Sequence, residues 1–507
     1  MTEGTQLNAV TIWAGAAAVA GLGAWIMYDA FPGVNWVLWT TASVLGLSFI
    51  LAGTNRRYGP LPAATAILAV VVAGAAALTA DEFMHGVIFL SVTLLLALTM
   101  LLAVDPRLER ISAWFVISAP ILAAARAMLE SLTRAIDASR IVRSHRARSA
   151  VRGIAITAPV ILFFALLLSA ADPVFAAWRE AVVRLLSSWE FIPRTIFFFV
   201  LLAIVLGAYG YVARTKAGDT SDESTAGYAD RTRWLGATER FILLASVGAL
   251  FWAFLAVQLS YLFGNLPATV GSGVTFAEYA RRGFGELTIV ATSSVLLIML
   301  SERYGQKSDR DGLLRAITLA VISAVLILLG SAFNRVSLYE TAYGFTTARL
   351  YAQVYMFVIA VTLAVLAVET RREMDPSRVF RRAGLVALFA FVLMIYWNHE
   401  SWIARENIQR FATTGKLDVV YLTRDLSPNA IPTIVAELPS LPDPVRSQLR
   451  AALGQRYEDR GKLMQRRWFE WNRGRAAARR ELIRLGVSLE ARVGPKLVPK
   501  PVPIATR

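Results

Sequence analysis

The chain has no cysteine among its 507 residues and only three histidines, His85, His145 and His399, far apart in sequence. Disulfide frameworks, thiolate metal sites, iron–sulfur clusters and thiol nucleophiles are thereby excluded, and a histidine-rich metal site is disfavoured. Charge is scarce as well, at 17% of residues against 56% hydrophobic, with a mean hydropathy of +0.52. A soluble fold of this length carries more charge and fewer apolar residues, so the composition specifies an all-α, polytopic helical membrane protein. The net charge is +16, but the basic residues lie between apolar runs. They act as topology and headgroup determinants, and no nucleic-acid partner is expected. No cofactor is implied.

A hydrocarbon core of about 30 Å takes roughly 20 apolar residues as helix. Windows of that kind fall at 9–28, 34–53, 61–80, 83–104, 153–171 and 191–212 in an N-terminal membrane half, 1–213. A polar linker, 214–239, precedes a C-terminal half, 240–398, with windows at 240–263, 284–300, 313–333, 350–368 and 383–398. The count is about eleven, within a range of ten to twelve. Residues 111–129 carry Pro120 and Arg126, and are followed by Arg134, Arg140, Arg143, Arg146, Arg148 and Arg152. Keeping that basic stretch cytoplasmic makes 111–129 an interfacial or re-entrant helix. The N-terminus MTEGTQLNAV has no basic n-region, so the first apolar run reads as a retained span. The expected location is the bacterial inner membrane, with the N-terminus cytoplasmic and residues 399–507 periplasmic. The 20 Lys and Arg against 11 Asp and Glu of that last segment pull the other way, but long segments obey the charge rule poorly.

Residues 399–507 form a basic, helical extramembrane module with a Pro-rich tail. Gly415 closes a first helix, Ser427-Pro428 and Asp443-Pro444 start further ones, and Gly454 can end a helix. A long basic helix is expected over 455–486, with Trp468, Phe469 and Trp471 flanked by Arg. Its partners would be membrane lipids, through anionic headgroups, or an acidic protein; packing on its own module weighs equally.

Three polar segments follow odd-numbered spans and so share one face: FAEYARRGFGEL, FNRVSLYETAYGFTTARLY and WNHESWIARENIQR. Glu278, Arg281, Arg282, Glu286, Asn334, Arg335, Tyr339, Glu340, Tyr343 and Arg349 are the candidate ligand-binding residues, joined there by Arg405 and Asn407. Charges at a membrane boundary are expensive unless paired or wet, so the face is either an anion site with Arg clamps or a network fixing helix register. The network reading weighs slightly more.

YARRGFGEL, NRVSLYETAYGFTTARLY, ARENIQRFATTGKLDVVYLTRDLSPNAIPTI and RWFEWNRGRAAARREL, in that order, resemble the bacterial inner-membrane family called domain of unknown function 4173, over roughly 236–485. The resemblance implies a multi-pass membrane protein without an established activity, and it assigns no catalytic residue.

Catalytic templates fail in detail. His399-Glu400 opens an HExxH-like string, but Ile403 stands where the second His is required. The apolar centres of the spans hold no carboxylate or basic group, which argues against ion-coupled transport. The balance favours a non-enzymatic protein with an envelope-linked regulatory, assembly or lipid-related transport role. The alternative is a polyprenyl-phosphate-dependent glycosyltransferase-like enzyme using the outside-loop acids Asp29, Asp81 and Glu82.

Overall fold

The computed structural model describes residues 9–54, 58–105, 113–139, 191–215, 234–263, 284–306, 311–372, 375–457, 463 and 466–487. The protein is an all-α polytopic membrane protein. Its first helices are α1 (Ala9–Ile26), α2 (Val34–Gly53), α3 (Pro60–Ala75), α4 (Glu82–Val104), α5 (Ala113–Ser139) and α6 (Phe191–Arg214). The second half contributes α7 (Ala237–Phe263), α8 (Phe284–Tyr304), α9 (Asp311–Tyr343), α10 (Thr347–Thr370) and α11 (Pro376–Tyr396). Among the described residues, ten helices are long and apolar enough to cross a membrane, and α3 is a shorter apolar one. The window at 153–171 lies outside the described residues.

Residues 113–139 form one unbroken helix with Pro120 inside it, long and apolar enough to cross a membrane. Its charges find partners within the protein: Arg126 donates to the Tyr211 hydroxyl at 2.8 Å, and Glu130 pairs with Arg134 at 3.0 Å and Arg214 at 3.4 Å. Helix α9 runs on past 333 to Tyr343. At 33 residues it is about 50 Å long, so its last turns extend beyond a hydrocarbon core.

Small residues let the helices of the first half approach closely. A Cβ on Gly23 would lie 2.5 Å from Leu201, and one on Gly207 would run into the backbone of Ala127. Each half buries its own apolar cluster, around Ile50, Leu102 and Tyr209 in the first and Val325, Leu328 and Leu363 in the second. A third cluster joins them. It combines Ala69, Ala73 and Ile88 of α3 and α4 with Leu350 and Ile395 of α10 and α11, and with Ile403, Ile434, Leu449 and Leu482 of the C-terminal module.

That module contains α12 (His399–Thr414), α13 (Ile431–Glu437), α14 (Asp443–Tyr457) and α15 (Arg473–Arg484). Helix α12 ends on Gly415 in the left-handed region, φ 65°, and the Ser427 side chain caps the turn at Pro428. Gly454 lies inside α14 and does not end it. The continuous basic helix expected over 455–486 is broken before α15: a 3₁₀ turn occupies Trp468–Glu470, and Asn472 caps the start of α15. Asn472 is held out of helical geometry because its side chain also donates to the carbonyls of Ala76, at 2.8 Å, and Thr79.

The end of the molecule opposite the module is fastened by ion pairs. Buried Glu369 lies between Arg378 and Arg382, and Arg240 pairs with Glu302 beside the Leu235–Gly305 bridge.

Candidate functional site at the junction of the two halves

The α3–α4 turn, residues 76–81, exposes backbone groups that a helix end leaves unpaired. The module covers them. Asn429, 7% exposed, accepts from the Ala80 amide at 2.9 Å and donates to the Thr79 hydroxyl at 2.9 Å. Arg473 and Gly474 donate their backbone amides to the carbonyls of Ala77, at 2.7 Å, and Leu78, at 3.2 Å. Gly474 permits this approach, since a Cβ there would collide with the Asn429 side-chain oxygen. The α1–α2 loop is bound in the same way. Val34 donates to the Trp471 carbonyl at 3.2 Å, Arg467 donates to the Tyr28 carbonyl at 3.3 Å, and Phe469 packs edge-on to Trp25 at 5.9 Å.

Beneath this contact lies a buried carboxylate. Glu400 is 2% exposed and accepts from the Ser427 amide at 2.8 Å, from the Ser427 hydroxyl and from Asn429 Nδ2 at 3.2 Å. Burial pushes its carboxyl above the usual value of 4.5, against the lowering effect of the Ser427 bonds. The neighbouring His399 bonds the Tyr351 hydroxyl through Nε2 at 2.9 Å, and its Nδ1 lies 3.3 Å from the Trp397 carbonyl. That carbonyl fixes the tautomer with hydrogen on Nδ1, which leaves Nε2 to accept from Tyr351. Burial lowers the His399 pKa, and burial raises that of Asp81, whose carboxylate caps α4 through the Phe83 amide at 2.9 Å.

The second half is clasped by α12 as well. Asn407 accepts from the Phe345 amide at 2.9 Å and donates to the Phe345 carbonyl at 2.8 Å. Arg410 donates to the carbonyls of Thr341 and Ala342, both at 3.3 Å, covering the C-terminus of α9. Tyr421 accepts from the Thr347 amide at 2.8 Å at the start of α10. Helix α12 thus brings together the second and third polar segments, 333–351 and 397–410.

The candidate residues sort accordingly. Arg349 stands 4.2 Å over the Tyr339 ring and donates to the Gly344 carbonyl, while Tyr339 and Tyr343 pack at 4.7 Å. Glu340, 4% exposed, accepts from Gln353 at 2.7 Å. Asn334 and Glu286 are exposed, and Arg335 is half-buried on α9. Glu278, Arg281 and Arg282 lie outside the described residues. Arg405 pairs at 3.7 Å with Glu437. Of the acids in the loops after α1 and α3, Asp29 adopts a positive φ of 46° and pairs with Arg466 at 3.6 Å. Among the described residues no cluster of three or more His, Cys, Asp or Glu could hold a metal ion.

Sequence reasoning passed over Thr79, Asn429 and Asn472, which carry the contact. Their one signal was the helix-cap grammar of Ser427-Pro428-Asn429; Asn472, inside a basic run, gave none.

No curated protein and no solved structure matches the chain. One family model, described as a domain of unknown function, matches residues 63–437. Its extent takes in α3 to α6 of the first half as well as the second half and α12, and its number is 4153, where the motifs had suggested 4173. The match covers most of the chain, from the α3 side of the junction to the end of α13, and the protein belongs to the multi-pass membrane family named Domain of unknown function (DUF4153).

Proposed function

We propose that this protein is a non-enzymatic component of a bacterial inner membrane, serving envelope-linked regulation or assembly, in which the C-terminal module reads the membrane surface and reports to both membrane halves. The observation that carries this reading is the double grip of one module. Asn429 and Asn472 hold the α3–α4 turn, and Asn407 holds the α9–α10 turn. A change in the position of the module is therefore felt by both halves, because packed junctions shift between discrete arrangements and do not deform continuously.

The polar face supports the same reading. Arg349, Glu340 and Asn407 spend their charge and hydrogen-bonding capacity on Tyr339, Gln353 and Phe345, as a register-fixing network does. The module's surface is different: Arg473, Arg479 and Arg480 are exposed on α15, beside Trp468 at 62% exposure and Trp471 at 42%. Cationic side chains with amphipathic aromatics suit contact with phospholipid headgroups.

The test is hydrogen exchange on the full chain in nanodiscs of varied anionic-lipid content. Protection at residues 76–81 and 344–347 is expected to change together. A change confined to 466–487 contradicts the reading. Reporters fused after Gly218 and near the C-terminus are expected on opposite sides of the membrane.

One observation favours the glycosyltransferase-like alternative: Asp81, with its raised carboxyl, interacts with His399, so an acid and a base stand together. That alternative requires Asp81→Asn to abolish an activity while insertion and thermal stability persist.

A further inference from the structure

The module bears a cleft of about 280 Å³, lined by Glu470, Arg475, Arg479, Arg480 and Ile483 among others. Its volume is just below the range of about 300–1,000 Å³ typical of pockets that enclose drug-sized ligands, so it suits a smaller polar group. Two features of its chemistry are unusual together. Glu470 is 1% exposed, and its Oε2 accepts from the Arg466 amide at 2.9 Å. Among the described residues its Oε1 has no hydrogen-bond partner. A buried carboxylate oxygen without a donor is costly and calls for a strong donor at that place.

The rest of the cleft asks for the opposite charge. Arg475 is committed, donating to the Glu470 backbone carbonyl at 2.9 Å and to the Pro32 carbonyl at 2.5 Å and lying 5.4 Å over the Phe31 ring; it meets the Glu470 carboxylate through charge and gives its Oε1 no hydrogen bond. Arg479 and Arg480 are exposed, and guanidinium pairs bind phosphate oxygens through charge-assisted, often bidentate bonds. One acceptor for a cation and two guanidiniums for an anion, in one small cleft, define a zwitterionic ligand. Location narrows it further. The cleft is beside the α1–α2 loop, whose Pro32 carbonyl accepts from Arg475, and Trp25, 54% exposed, packs on Phe469, the residue before Glu470, as aromatics do at headgroup depth.

We propose that this cleft is a binding site for a phosphate ester bearing a primary ammonium, of the phosphoethanolamine class, with the ammonium donating to Glu470 Oε1 and the phosphate held by Arg479 and Arg480. The proposal rests on the reading of the module as a membrane-surface element and names its ligand. The primary ammonium matters because a quaternary one has no N–H to donate, so a choline ester leaves Glu470 Oε1 unsatisfied.

Native mass spectrometry of the full chain in detergent tests it, with phosphatidylethanolamine, phosphatidylcholine and phosphatidylglycerol of identical acyl chains as probes, and soluble phosphoethanolamine in a separate arm. Wild type is expected to retain the ethanolamine lipid about tenfold better than the choline lipid. Glu470→Gln keeps an oxygen to accept from the Arg466 amide, and is expected to erase that preference while overall phospholipid retention stays. The double change Arg479→Gln, Arg480→Gln, on the exposed face of α15, is expected to weaken all three lipids. Retention of soluble phosphoethanolamine as tight as that of the lipid, with the same dependence on Glu470, assigns the site to a free phosphate ester; much weaker retention assigns it to the lipid. Equal binding of ethanolamine and choline lipids by wild type, or an unchanged preference in Glu470→Gln, overturns the proposal. If all three lipids bind equally and respond to the Arg changes, the surface reading stands without the ligand assignment. If none binds, both fail.

Discussion

Asn429 and Thr79 are 350 positions apart in the chain, yet the Asn429 side-chain amide donates to the Thr79 hydroxyl at 2.9 Å while its oxygen takes the Ala80 amide. Through this pair the last quarter of the protein completes the hydrogen bonding of a helix turn near its beginning. The same amide reaches Glu400, so the turn, the module and the buried carboxylate form one network. Buried networks of this kind leave several groups unsatisfied when one member is removed.

Asn429→Ala is expected to destabilise the docked module by about 2–3 kcal/mol, since the Ala80 amide loses its acceptor, and Thr79 and Glu400 each lose a donor, in a buried place. Denaturant unfolding in detergent, with limited proteolysis between α11 and α12 as a second readout, measures it. Wild-type stability in both would remove the network from the explanation of docking.

The junction is expected to respond to pH through Glu400. Burial raises its carboxyl above 4.5, so the folded state holds the proton more tightly than the unfolded chain. The stabilisation is complete below the unfolded value and is lost as pH rises through the raised one. Asp81, also raised, acts with the same sign; His399, lowered from 6.5, acts with the opposite sign and loses its contribution as pH falls through its own value. Glu400→Gln, which mimics the protonated acid, is therefore expected to flatten the decline in thermal stability between acid and neutral pH. An unaltered slope would show that Glu400 is not the titrating group.

Gly344 has φ +89° at the α9–α10 turn, and a Cβ there would meet the Asn407 side-chain oxygen. Gly344→Ala is expected to cost about 1–3 kcal/mol in backbone strain alone, and to loosen the Asn407 clasp on Phe345. Hydrogen exchange of the Phe345 amide reads the clasp directly, and unchanged protection would refute the role given to Asn407.

Arg349→Gln removes the guanidinium from the Tyr339 ring and from the Gly344 carbonyl. A loss of about 1–2 kcal/mol is expected, with Arg349→Lys recovering only part because a lysine lacks the planar fork. Full stability in the Gln variant, with loss of an anionic ligand, would restore the clamp reading of this face.

How much of this was legible follows from the range of each signal. Hydropathy marked the long described helices, because a lipid-facing helix is apolar along its whole length, but it ended α9 ten residues early and began α11 seven residues late, where the helices continue into polar sequence. It left 113–139 open between a span and an interfacial helix, and the partners of its charges, Tyr211 and Arg214, are seen only in the fold. Counting spans brought 333–351 and 397–410 to one end, and α12 joins them there. Asn429 and Asn472 stayed hidden because a single amide that caps a distant turn leaves no periodic trace. The break before Asn472 is likewise set by Ala76 and Thr79, almost four hundred positions away.

The arrangement of the whole molecule depends on the module lying against the α3–α4 turn, and the absence of cysteine makes that contact directly measurable. Ala77 and Arg473 are joined by a backbone hydrogen bond of 2.7 Å, and the Arg473 side chain is exposed. Ala77→Cys with Arg473→Cys, treated in native membranes with a short bifunctional thiol reagent, is expected to give an intramolecular cross-link whose yield is independent of protein concentration. Two thiols that each react singly, from opposite sides of the membrane and without cross-linking, would contradict the docked junction and every inference built on it.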